Sequence, residues 1–111
     1  MRLEINLNKH WEGLKIEHIN KIWGMMLDIQ PTVNDLELIY SLDRELTSKE
    51  ALAKKIRILH LEYKILKLDD YMRELKQQPI FGIKKDDLLC DEVSKQVLAK
   101  YLFLMSDTSN T

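Results

Sequence analysis

Between Thr47 and Gln78 the chain contains neither glycine nor proline, and the stretch is rich in Leu, Lys, Glu, Ala and Arg. These are the residues that lose least on entering a helix. In a chain of 111 residues a strand that long has no place in a sheet. Its start carries a capping box: Thr47 can accept from an exposed backbone N–H, and Glu50, three positions on, can reach back. The middle, "KIRILHLEYKILKL" (55–68), nevertheless alternates like a strand that could pair with "RLEINL" near the N-terminus. At helical pitch the same residues form two seams. Leu52, Ile56, Leu59, Tyr63 and Leu66 fall on one, and Ile58, Leu61, Ile65, Leu68, Met72 and Leu75 on another, roughly opposite. The spacing therefore predicts a long central helix packed on both sides, with Ile58 and Leu59 both buried, and explains the alternation as a by-product of two seams.

Punctuation elsewhere is sparse. Three Gly and two Pro are too few for the regular turns of an all-β domain. From Lys15, Ile16, Ile19, Ile22 or Trp23, Met26 and Ile29 recur at helical steps until Pro31, which is expected to end the first helix. Asn34 with Glu37 three positions later suggests a new start, and Leu36, Ile39, Tyr40 and Leu42 give a second, short helix over 35–46. After Pro79, "PIFGIKKDD" reads as a connection. Asp86 or Asp87 can cap a last helix whose stripe is Leu89, Val93, Val97, Tyr101 and Leu104. The expected fold is all-α: an irregular four-helix bundle over residues 1–105 with one long central helix, a short extended segment near the N-terminus and a disordered polar tail over 106–111.

Composition removes several classes of function. With 45% apolar and 32% charged residues and a net charge of −1, the chain has no overall pull toward nucleic acid or anionic lipid. A single Cys90 requires no oxidising compartment, and the N-terminus lacks the apolar core of a signal peptide. No stretch is apolar enough to span a membrane. A cytoplasmic location is expected. His10, His18 and His60 are scattered without metal-ligand spacing, and Cys90 sits among acidic neighbours that disfavour a thiolate, as a half-buried, inert thiol would. The pairs Asp69–Asp70, Asp86–Asp87 and Asp91–Glu92 point in different directions on a helix and read as solvated or capping groups. Phosphate loops and nucleophile elbows are absent from the sequence. Neither catalysis, a cofactor nor a small-molecule substrate is expected.

Two surfaces remain as candidates. Charge is uneven, acidic over 31–50 and basic over 51–78, and Arg57, His60, Lys64 and Lys67 share a narrow strip of the central helix. A solvated edge that pairs with the acidic segment explains this strip; a contact for nucleic acid is the alternative, making the protein a small regulator. The second candidate is an apolar patch of Met72, Leu75, Ile80 and Phe81, at the end of the central helix where its cover runs short. A second copy of the chain or one protein partner would close it, unless the last helix folds back over it.

The opening "LEINLNKHWEGLKIEHINKIW" has an acidic-apolar start, a tryptophan and then an amphipathic helix. Through Ile5, Leu7, Trp11, Leu14, Glu17, Ile19 and Trp23 it resembles the start of small helical proteins of phage structural gene clusters, described as tail assembly chaperones. The resemblance covers the first quarter of the chain. It implies a non-enzymatic helical protein that binds another structural protein.

Overall fold

The computed structural model describes residues 13–109, which fold as helix α1 (Ile16–Tyr40), helix α2 (Ser48–Glu74), a 3-10 turn (Lys85–Leu89) and helix α3 (Asp91–Ser109). The fold is all-α, and no strand occurs among the described residues. "KIRILHLEYKILKL" lies inside the unbroken α2. The segment "RLEINL", His10 and Trp11 lie outside the described residues.

Among the described residues the bundle has three α-helices rather than the expected four, because α1 runs straight through Pro31. A proline in a helix interior removes one hydrogen bond and crowds the carbonyl four residues back, here that of Leu27. Both Leu27 and Pro31 are exposed, so water can serve the freed carbonyl. The neighbouring carbonyl, Asp28 O, receives the Lys64 ammonium of α2 at 2.8 Å, and the same Nζ reaches Thr32 Oγ1 at 3.1 Å. The expected break does not occur: the freed carbonyl is that of solvent-exposed Leu27, while Lys64 ties the adjoining residues of α1 to α2. Ile19, Ile22, Met26, Ile29, Val33 and Leu36 form one continuous buried face across it.

α2 starts as its sequence dictates. The Thr47 hydroxyl accepts from Glu50 N–H at 3.1 Å, and the Glu50 carboxylate accepts from Thr47 N–H at 2.9 Å. Arg44 adds a two-pronged contact to the same carboxylate at 2.7 and 2.8 Å. At its other end the helix closes in a Schellman turn, with Gln77 N–H on Met72 O and Lys76 N–H on Arg73 O, both at 2.9 Å. Lys76 takes the left-handed conformation there, with φ 58°.

That turn sends the chain back along α2, where Asp69 catches it. The Asp69 carboxylate is fully buried and accepts from Phe81 N–H at 3.0 Å and Gly82 N–H at 2.9 Å. Gly82 has φ 66°, a conformation that side chains resist. So anchored, Ile80 and Phe81 enter the core with Met72, Leu68 and Leu88. α3 then packs against both other helices. Tyr101 is fully buried and donates to Gln30 Oε1 at 2.6 Å, with Met26 O at 3.2 Å. Burial pushes its phenol up to about 12. Ser94, also fully buried, donates to Asp91 O at 3.0 Å and shares a 2.6 Å contact with the Tyr40 hydroxyl. α3 continues to Ser109, so the tail expected to be disordered from 106 is helical through that residue.

Two outcomes follow from these contacts. Asp69→Ala would strand two buried N–H groups and is expected to cost about 3 kcal/mol in urea unfolding. Glu50 is held down to about 2 from an ordinary 4.5, first by Arg44 and then by the Thr47 amide. Its folded pKa is depressed, so its contribution is complete above the ordinary carboxylate range and is lost as pH falls toward 2. Glu50→Gln should therefore flatten the acid limb of stability between about pH 4.5 and 2, measured by unfolding across that range.

Candidate protein-binding surface

The two seams of α2 have opposite fates. Ile58, Leu61, Ile65, Leu68 and Met72 are buried in the core. The other seam is open to solvent, with Leu52 at 59%, Ile56 at 40%, Leu59 at 48% and Tyr63 at 67% exposure. Leu66 is half-buried beside them. The expectation that Leu59 would be buried like Ile58 is corrected on this point. Apolar periodicity calls for two partners, whereas the three helices supply cover to one side only, because Pro31 does not split off a helix to cover the second.

The seam forms one wall of a groove of about 550 Å³. Leu59, Tyr63 and Leu66 meet Met25 and Lys21 of α1 there, and Lys67, Asp70 and Glu74 stand along it. Lys21 Nζ lies 4.4 Å from the centre of the Tyr71 ring, which fixes that end of the α1–α2 junction. Glu62 also lines the groove. It is only 8% exposed, and no hydrogen bond or ion pair reaches it among the described residues. Its carboxylate oxygens are not among the buried side-chain atoms left without a partner, so they keep contact with water at the edge of the groove.

The apolar patch expected at the end of α2 is not open. Met72 (0%), Ile80 (5%) and Phe81 (7%) are buried, and Leu75 is half-buried against the same core. The Asp69 clamp draws the loop inward. Since the two adjacent carboxylates were read as solvated, nothing in the sequence announced this; Asp70 alone behaves that way, pairing with Arg73 at 2.7 Å on the surface.

The basic strip is partly consumed by α1. Arg57 Nε meets Asp35 Oδ2 at 2.7 Å, and Lys64 caps the Asp28 carbonyl. His60 and Lys67 are exposed. Pairing with the acidic segment thus accounts for Arg57, while Lys64 is held on α1 by a backbone carbonyl and a hydroxyl. Cys90 is exposed between the 3-10 turn and α3 rather than half-buried. The described residues bring no group of three or more His, Cys, Asp or Glu together as a metal site, and none of their helices is long and apolar enough to cross a membrane. Outside α2, Leu38 and Phe103 are exposed at 68% and 66% but belong to no comparable run. The chain matches no protein-family profile, no curated protein and no solved structure.

Adjacent residues of α2 should respond to charge in opposite ways. Ile58→Asp is expected to cost about 4 kcal/mol by placing a carboxylate in the core. Leu59→Asp should change stability by no more than about 0.5 kcal/mol. Thermal melts of the two variants, followed by circular dichroism, compare them directly.

Proposed function

We propose that this protein is a non-enzymatic interaction module that takes an amphipathic helix of a protein onto the Leu52–Leu66 seam. The observation that carries this reading is the seam itself: four exposed large apolar side chains at steps of four, three and four residues on one rigid helix. Scattered exposed leucines are ordinary on a protein surface, but a continuous stripe is not. Steps of three and four are the spacing at which a second helix inserts its own side chains. The wall contributed by Met25 adds a flexible apolar surface of the kind that adapts to a docked side chain. An assembly-chaperone role is the form of this reading favoured by the likeness of the opening residues to phage tail assembly chaperones.

Nucleic-acid binding through the basic strip is the weaker reading, since Arg57 and Lys64 would have to leave partners on α1 to reach phosphates. Photo-cross-linking tests the two. A benzophenone side chain at position 63, introduced in the native host, is expected to give a discrete protein adduct that Leu59→Asp abolishes. The absence of any protein adduct overturns the reading. Salt-sensitive nucleic-acid binding abolished by Lys64→Glu would put the regulator in its place.

A further inference from the structure

Resting on the interaction reading, we infer that the helix seated on the seam is α2 of a second copy, running antiparallel, with Lys55 of each chain paired to Glu62 of the other. The seam residues occupy the two core positions of a heptad: Ile56 and Tyr63 are one kind, and Leu52, Leu59 and Leu66 the other. In antiparallel pairing a residue of one kind meets one of the other kind. Placing Ile56 against Leu59 of the second copy also places Leu52 against Tyr63, and each contact occurs twice by the two-fold axis. The flank is then determined. Lys55 and Glu62 lie seven residues apart at the same heptad position, beside the core positions. The antiparallel register brings each to the other's counterpart.

This register gives both groups a partner. Neither Glu62, whose carboxylate reaches water in the groove, nor the exposed Lys55 makes an ion pair among the described residues. One pairing satisfies both groups in both copies. On the opposite flank Ala53 meets His60, so no like charges collide. A parallel, in-register pair would set Glu62 toward Lys67 of the other chain but leave Lys55 facing His60 and stack Tyr63 on Tyr63. Antiparallel helices also bring opposite dipole ends together. The contact spans only two heptads, at the small end of specific interfaces, so the dimer is reversible, with a dissociation constant of about 10–100 µM.

The test is sedimentation equilibrium of the full chain over a concentration series. The wild type is expected to shift reversibly from monomer to dimer. Lys55→Glu and Glu62→Lys should each weaken association by at least about tenfold, because each sets like charges opposite one another. An equimolar mixture of the two should recover a heterodimer, in which every pair is again complementary. Circular dichroism checks that each variant is folded. If Glu62→Lys is not, cysteines at the exposed positions 52 and 63 read the same register on a Cys90→Ser background. Leu52→Cys mixed with Tyr63→Cys should form the mixed disulfide, while neither variant alone should cross-link to itself. A wild type that stays monomeric to about 500 µM overturns the inference, as does a dimer indifferent to both charge changes or one that cross-links 52 to 52. A monomer that still gives a position-63 adduct with a different protein removes the second copy and leaves the interaction reading standing. No adduct of any kind removes both.

Discussion

Asp69 holds the topology together. Its carboxylate takes two backbone N–H groups from a loop that has just turned out of α2, at 3.0 and 2.9 Å, inside the core. The direction in which α3 returns depends on that capture, because the 3-10 turn and the last helix follow within a few residues. A buried carboxylate is costly unless its oxygens are served. Here each oxygen receives one amide, and those amides would themselves be stranded without it. Loop and helix therefore satisfy each other or neither is satisfied, which makes the placement of α3 an all-or-none matter.

The α1–α2 pair is registered by a different device. Arg57, Lys64 and Tyr71 stand seven residues apart on α2, and they meet Asp35, the Asp28 carbonyl with Thr32, and Lys21 in descending order on α1. Each contact is partly exposed and worth little alone. Together they define one antiparallel register, since sliding either helix by a turn would break all three. The strip that looks like a nucleic-acid surface in sequence is thus largely an internal seam of the hairpin. The free chemistry of α2 lies on the neighbouring apolar face.

How much of this could be read in the sequence depended on how local its cause was. The Thr47–Glu50 box and the uninterrupted α2 are decided within a few residues, and both were legible. The end of the first helix at Pro31 was not, because what carries α1 across the proline is its buried face against the other helices, while the freed Leu27 carbonyl lies on the exposed side. The seams were legible as apolar lines. Which one is covered was not, because spacing records that side chains are apolar and says nothing about how many helices are at hand to cover them. Asp69 was hidden for a similar reason: beside Asp70 it is an acidic pair like any other, and only the returning loop distinguishes the two. The surface proposed for docking, Leu52 to Leu66, was written in the sequence but assigned to the interior.

Helix order along the chain has a consequence for how the molecule is made. α1 and α2 are neighbours in sequence and can zip as soon as both exist, a local event that proceeds quickly. The contacts that bring in α3 span much longer separations: Tyr101 reaches Met26 across 75 residues, and Ser94 reaches Tyr40 across 54. During synthesis the hairpin must therefore wait for the last helix with one line of α2 covered by α1 alone and the other uncovered. The first is completed when α3 arrives and Asp69 closes on the loop; the second stays open throughout. The nascent hairpin thus exposes more apolar surface than the finished chain, so the interval between α2 and α3 leaving the ribosome is when mispairing with a neighbour has the most surface to work with.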